Sequence, residues 1–313
     1  MSFLEVTELS KNFQTKRGLL KAVDKVSFKI DEGKTLGLVG ESGCGKTTTG
    51  RAILRLLEPT GGKVIFDGQD ITSLKKREMQ KLRREMQIIF QDPFSSLDPR
   101  KSVSQIIAEP IQINGLIKGK KLLKNRVLEL MTMVGLAERL INSYPHELDG
   151  GRRQRVGIAR ALSVNPRFIV CDEPVSALDV SIQAQILNLL KELQESIGLT
   201  YLFITHDLAV VNHFSDDIAV MYLGKIIEKA PAEELFENPL HPYTKALLSA
   251  VPIPNLAIKR ERIVLRGEVV SPIDLPNECY FKKRCYCISE NCTATPPELR
   301  EILPNHFVAC CNL

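Results

Sequence analysis

Residues 40–47 read Gly40-Glu41-Ser42-Gly43-Cys44-Gly45-Lys46-Thr47 and satisfy the spacing GxxxxGK(S/T). Their setting constrains the fold more than the pattern does. TLGLV at 35–39 is a short apolar run that reads as a buried strand, and RAILRLLE at 51–58 reads as a helix closed by Pro59 and Gly61–Gly62. A strand that runs through glycines into a helix lets consecutive backbone N–H groups curl round phosphate oxygens, and the helix N-terminus favours the same negative charge. In this spacing Lys46 reaches the β- and γ-phosphates and Thr47 offers its hydroxyl to Mg²⁺. Ser42, Cys44 and Thr48 belong to the same cradle.

A loop of this kind calls for an α/β sheet, and the remaining periodicity supplies one. FLEVTELSKNF and AVDKVSFKI, with Val26, Phe28 and Ile30 alternating, predict an N-terminal β region; KVIFDG and MQIIF are further strands. Beyond residue 165, strands FIVCD (168–172), TYLFIT (200–205) and DIAVMYL alternate with helices VSIQAQILNLLKELQ and LAVVNHF, as in a sheet covered on its faces. FIVCD ends in Asp172, whose carboxylate suits an Mg²⁺ shell, and Glu173 follows at the mouth of the strand, where it can orient or deprotonate a water. Gln91 and His206 follow strands MQIIF and TYLFIT, so both stand at carboxyl ends, where open α/β sheets collect ligands.

Between about 100 and 160 the texture turns helical: Val127, Leu130, Met131 and Val134 recur at i, i+3, i+4 and i+7. This insert closes on YPHELDGGRRQR (144–155) and a helix over 152–163. Gly150 and Gly151 suit an approach to an anion, whereas Asp149 carries the wrong charge unless it turns back to cap the helix or is neutralised by Arg152, Arg153 or Arg155.

The chain carries 42 Lys and Arg against 37 Asp and Glu, a formal charge of +5. That balance permits an anionic ligand without requiring nucleic acid. KKREMQKLRR at 75–84 has acidic and apolar breaks and reads as a solvated helix face. MSFLEVTELS has no signal-peptide run, and about 18 consecutive apolar residues occur nowhere, so a membrane-spanning chain is not expected.

In order and composition these motifs resemble the ATP-binding cassette (ABC) ATPases. GESGCGKTT is similar to the Walker A loop, IVCDE to Walker B with its catalytic glutamate, IIFQDP to the Q-loop, SALD at 176–179 to the D-loop and ITHD to the switch histidine. The resemblance implies a P-loop NTPase of ABC type with an N-terminal antiparallel β subdomain and a helical signature subdomain. It implies that Phe13 stacks on adenine, that Gln91 senses Mg²⁺ and couples to a membrane domain, and that Asp179 reaches across a dimer interface. Leu148-Asp149-Gly150-Gly151-Arg152 stands where the family has LSGGQ, the loop that presses on the γ-phosphate held by a second subunit. Asp149 and Arg152 depart from the family serine and glutamine, which implies two unequal composite sites. KLRREMQIIFQDPFSSLDPR, VMYLGKIIEKAP and NPLHPYTKALLSAVP resemble the ATPase subunits of oligopeptide and dipeptide importers, F-type especially, with nickel importers close by. The partners so implied are a sister ATPase or second copy, two permease subunits and an extracellular binding protein, with the chain peripheral on the cytoplasmic face of the membrane.

Six of the eight cysteines fall between 279 and 311. That asymmetry points to a local site in a module at 263–313, reached from an ATPase domain at 1–250 through a Pro-rich linker at 251–262. Thiolate sets of this kind suit zinc or an iron–sulfur cluster, and the spacings do not choose between them. The importer resemblance implies a [4Fe-4S] cluster on Cys279, Cys285, Cys292 and Cys310, with Cys311 competing for the last place and with zinc, or cysteines free of metal, as the alternatives; a metal would replace the core so short a segment lacks. Two rival readings are a soluble ABC ATPase acting on nucleic acid or ribosomes, and a regulatory subunit that binds ATP without hydrolysing it. The first lacks fused cassettes or a basic stripe, and the intact Glu173 opposes the second.

Overall fold

The computed structural model describes residues 2–251, 262–265, 267, 272–293 and 295–313. They form two compact units, Met1–Ser73 with Phe203–Leu313, and Leu74–Leu202.

The first unit opens with β1 (Leu4–Thr15) and β2 (Gly18–Ile30), an antiparallel hairpin paired from Leu4 opposite Ile30 to Thr15 opposite Gly18, with its register shifting between Val6 and Asn12. β3 (Thr35–Val39) is buried at all five positions, which is why it reads as an unbroken apolar run. α1 (Lys46–Ile53) starts earlier than the apolar pattern predicts. Gly45, at φ 109°, is its N-cap, so the helix opens inside the phosphate motif, and Arg55 at φ 49° ends any continuation. β4 (Gly61–Phe66) pairs with β1 and β5 (Gln69–Asp70) with β4, giving the antiparallel order β2-β1-β4-β5.

The second unit contains α2 (Lys76–Leu82), β6 (Met86–Ile89), α3 (Pro93–Ser96), α4 (Val103–Ile113), α5 (Lys120–Met133), α6 (Gly150–Leu162), β7 (Phe168–Asp172) and α7 (Val180–Ile197). β6 and β7 run parallel, Met86 beside Phe168 through to Ile89 beside Cys171. In α2 only Met79 is buried, the solvated face its charges predict. α4, α5 and α6 build the helical region on Ile106, Ile107, Ile111, Val127, Leu130, Met131 and Val156, with Ser102 and Gln105 capping α4 reciprocally.

β8 (Thr200–Thr205), buried throughout, carries the chain back into the first unit. There follow α8 (Leu208–Phe214), β9 (Asp217–Tyr222), β10 (Lys225–Pro231), α9 (Ala232–Glu237), α10 (Pro242–Ser249), β11 (Arg300–Leu303) and β12 (His306–Val308). β9 lies parallel to β3, and the first unit's second sheet has the order β11-β12-β10-β9-β3.

The linker read at 251–262 lies, apart from its two end residues, outside the described residues. Among the described residues, no group of three or more His, Cys, Asp or Glu side chains could hold a metal ion. This overturns the C-terminal metal-binding module, the [4Fe-4S] cluster, its zinc alternative and the ligand set Cys279, Cys285, Cys292 and Cys310. Burial pushes Cys279 up to about 11 and also raises Cys285 and Cys310, so these side chains stay neutral. Cys292 is buried, with Ser289 Oγ and Asn312 Oδ1 at 3.6 and 3.7 Å from its sulfur.

Docking takes the place of the metal. β12 adds to β10, the Asp274 carboxylate accepts the Leu19 N–H at 3.0 Å, and Tyr280 Oη donates to Asp24 at 2.9 Å. Phe281 is buried among Tyr222, His241 and Tyr243, with ring centroids 5.4–5.5 Å away. His306 is wholly buried, its Nε2 2.8 Å from Glu228 Oε1 and its Nδ1 3.5 Å from Glu234. A segment too short for its own core thus borrows the first unit's.

Candidate functional site

In the first unit the phosphate loop joins β3 to α1. Gly40, Gly43 and Gly45 all hold positive φ, at 156°, 80° and 109°. At two of them a side chain would also strike backbone: a Cβ on Gly40 would sit 2.2 Å from the Met221 carbonyl oxygen, and one on Gly45 2.1 Å from that of Ala22. The glycines are therefore fixed by conformation and by contact together. Lys46 is only 4 % exposed, and its Nζ donates to the carbonyls of Gly40 at 2.7 Å and Glu41 at 3.1 Å, which folds the ammonium into the loop. Thr47 and Thr48 follow in the first turn of α1, half-buried; Ser42 is exposed. Cys44 is buried, its thiol pushed up by desolvation, and its carbonyl accepts the Gly224 N–H at 2.8 Å. Phe13 lies half-buried on β1 with the Lys11 ammonium 5.0 Å from its ring centre. His206 follows β8, exposed.

In the second unit Asp172 closes β7 at 1 % exposure. Glu173 comes next, 8 % exposed and at φ 47°. A left-handed conformation at a non-glycine residue costs about 1–3 kcal/mol and persists only where the surroundings impose it. Here the Ser176 hydroxyl donates to the Glu173 carbonyl at 3.2 Å. Gln91 Nε2 donates to Glu173 Oε2 at 3.0 Å, so two side chains 82 residues apart in sequence meet. Asp179, exposed, is the N-cap residue of α7.

Asp149 is the N-cap of α6, where its Oδ1 accepts the Arg152 N–H at 2.8 Å and its Oδ2 lies 3.3 Å from the Arg152 guanidinium. Gly150 and Gly151 open the helix. A Cβ on Gly150 would meet Leu178 Cδ2 at 3.0 Å, and one on Gly151 would meet Ile182 Cγ2 at 2.7 Å. Absent side chains let α6 approach the start of α7.

Residues 23–176 match the family model described as ABC transporter, and residues 227–292 match that for the oligopeptide/dipeptide transporter C-terminal region. A putative peptide import ATP-binding protein of Brucella ovis is 52 % identical over 308 residues, 98 % of this chain and 96 % of its own length. The chain belongs to the ABC transporter ATP-binding family. The oligopeptide transport ATP-binding protein OppF of Bacillus subtilis is 53 % identical over 308 residues, 98 % and 95 % of the two chains. Among solved structures, a dimeric ATP-binding cassette bound to ADP and Pi aligns with a TM-score of 0.68 at 31 % identity, over 73 % of this chain and 98 % of that one. The fold is thus the P-loop ABC ATPase with its N-terminal β subdomain and helical region, and the chain hydrolyses ATP. The Brucella and Bacillus relatives are peptide transport ATP-binding proteins and give no evidence of nickel specificity. No helix among the described residues is long and apolar enough to cross a membrane.

In this ABC ATPase one contact of the loop escaped the motif reading. Glu41, inside the cradle, forms a two-pronged pair with Arg284 of the tail, at 2.7 and 3.0 Å, and its N–H donates to Tyr243 Oη at 3.1 Å. An acid within a phosphate loop was the available signal, since it demands a counter-charge. Nothing in the spacing says that this comes 243 residues later.

Proposed function

We infer that this chain is the ATP-hydrolysing, nucleotide-binding subunit of an ABC transporter that takes up peptides, oligopeptides or dipeptides. The observation that carries the cargo class is the likeness to peptide import ATP-binding proteins across almost the whole chain, the C-terminal region included. The subunit works peripherally at the cytoplasmic face of the membrane, paired with a sister ATPase or a second copy and docked on two permease subunits that receive peptide from an extracellular binding protein. We read residues 1–250 as the ATPase domain and 263–313 as a docked tail.

The roles follow the chemistry of each group. Phe13 stacks on adenine. The N–H groups of Gly40–Thr48, with Lys46, cradle the β- and γ-phosphates. Thr47, Gln91 and Asp172 complete the Mg²⁺ shell of the substrate MgATP, and His206 steadies the γ-phosphate. Glu173 orients or deprotonates the attacking water, and Gln91, bonded to it, fixes its rotamer. Phosphoryl transfer to water asks mainly for placement and charge stabilisation, which such a set provides. Asp149, Gly150 and Gly151 at the start of α6 face the partner's γ-phosphate, and Asp179 crosses the same interface.

Glu173→Gln in the complex assembled with its membrane subunits tests this reading. ATP turnover falls by about 10²–10⁴-fold, the range for loss of a general base, while ATP still binds. Turnover within twofold of wild type would remove Glu173 from the chemistry.

A further inference from the structure

Glu41 presents a physical problem. It stands within a loop shaped to collect N–H groups for phosphate, and an ionised carboxylate there repels a triphosphate. The chain answers with Arg284, whose side chain is 8 % exposed. Nη1 and Nη2 donate separately to the two Glu41 oxygens, at 2.7 and 3.0 Å, the planar fork-to-fork arrangement that only arginine supplies. The pair is one element of a wider clamp. The Glu41 N–H donates to Tyr243 Oη at 3.1 Å, and its carbonyl accepts from Lys46 Nζ at 3.1 Å, so amide, carbonyl and carboxylate are each held. Burial holds the Tyr243 phenol well above its ordinary value, so it remains a neutral hydroxyl. The tail segment is itself fixed. Phe281 fills the aromatic nest beneath the loop, the Arg284 N–H donates to the Phe281 carbonyl at 2.9 Å, and the guanidinium lies 5.9 Å from the Tyr222 ring centre.

We propose that Arg284 is a positioning residue for nucleotide binding: it neutralises Glu41 and fixes the second residue of the phosphate loop, so that the cradle binds ATP more tightly when the C-terminal tail is docked. The tail would then set nucleotide affinity without touching nucleotide. The inference rests on the phosphate-binding role of the loop. Arg284 acts through Glu41, so its effect vanishes once Glu41 carries no charge.

The test is a double-mutant cycle in the full-length chain, read as the dissociation constant for MgATP by titration and as KM and kcat in the assembled transporter. Arg284→Ala raises the dissociation constant and KM about tenfold, the effect of one uncompensated charge near the triphosphate, and leaves kcat within about twofold. In a Glu41→Gln background the same substitution changes neither constant by more than about twofold. Equal weakening in both backgrounds, or no weakening in either, overturns the proposal, because a merely structural arginine does not care about the charge at position 41. Should Arg284→Ala fail to fold, Arg284→Lys replaces it: a rise of about threefold confined to the Glu41 background supports the proposal, and its absence overturns it. A wild-type chain that binds no MgATP would sink the reading of the loop itself. One that binds normally while the cycle shows no coupling sinks only the role of Arg284.

Discussion

The phosphate loop and the turn before α6 are both glycine-rich helix entrances with an acid in an awkward place, and they handle it differently. In the loop, glycine is required by backbone: Gly40 and Gly45 hold positive φ and their missing Cβ atoms would strike carbonyl oxygens. In the turn, Gly150 and Gly151 have ordinary φ and are required only by Leu178 and Ile182 side chains. The acids differ likewise. Glu41 is locked by a nearly buried arginine from the tail, whereas Asp149 spends its charge on the helix cap and on Arg152, with side chains 60 % and 48 % exposed. One entrance is a rigid cradle; the other is a helix end whose charge is set by local capping.

The largest test of that contrast is a matched pair of substitutions. Gly45→Ala forces a side chain into a conformation at φ 109° and against the Ala22 carbonyl, for a loss of about 1–3 kcal/mol of stability and of ATP binding together. Gly151→Ala meets only Ile182 Cγ2 at 2.7 Å, and alanine inside a helix returns up to about 1 kcal/mol of propensity, so net stability stays within about 1 kcal/mol of wild type. Chemical denaturation and MgATP titration on both variants decide the matter. Equal losses would erase the distinction between the two entrances.

The docked tail gives the cradle its counter-charge, and its hold is sensitive to pH at a second point. Burial alone would lower the His306 value, but its bond to Glu228 and the charges of Glu228 and Glu234 outweigh that and raise it above 6.5. Protonated His306 therefore contributes stability that is fully present below about pH 6.5 and is lost as pH rises through the raised folded-state value. Neighbouring His241 does not share this behaviour, since burial pushes it down to about 4 and it stays neutral across that window. Thermal melting from pH 6 to 9 checks the sign: wild type loses melting temperature over the upper part of the range, and His306→Gln starts lower and stays flat. A parallel slope in the variant would assign the loss elsewhere.

These two regions also mark what the sequence could reveal. The loop was legible because one chain segment supplies strand, turn and helix, so spacing alone encodes the geometry. Glu173 and Gln91 were legible as strand ends, though their bond required folding to bring residues 82 apart together. The tail was misread for a physical reason: six cysteines in a short segment suggest metal, whereas its stability comes from Phe281, Arg284 and His306 inserted into a core built by distant residues. Composition reports thiols, but it does not report what a single arginine or phenylalanine will reach. The apolar pattern starts helix α1 late for a related reason, since it does not register a first turn made of Lys46, Thr47 and Thr48.

The smallest expected effect bears on the second entrance alone. Asp149→Ser keeps an N-cap of equal quality, so α6 loses no more than about 1 kcal/mol, chiefly the favourable interaction of a carboxylate with the helix dipole. It removes one negative charge from the turn assigned to the partner's γ-phosphate. A unit charge some 7 Å from another in water is worth about 0.6 kcal/mol, which predicts a rise of roughly threefold in ATP turnover at the partner's site. Because Asp149 and Arg152 are exposed, the gain should shrink as salt is raised from low to physiological strength, more than any effect at the Glu41–Arg284 pair, whose side chains are 27 % and 8 % exposed. Turnover in the assembled complex, measured at two salt concentrations with the Glu173→Gln substitution placed in one subunit at a time where the sister is a different chain, separates the two composite sites. Unchanged turnover at both salts would mean that capping already neutralises Asp149, and that the two entrances differ in rigidity but not in charge.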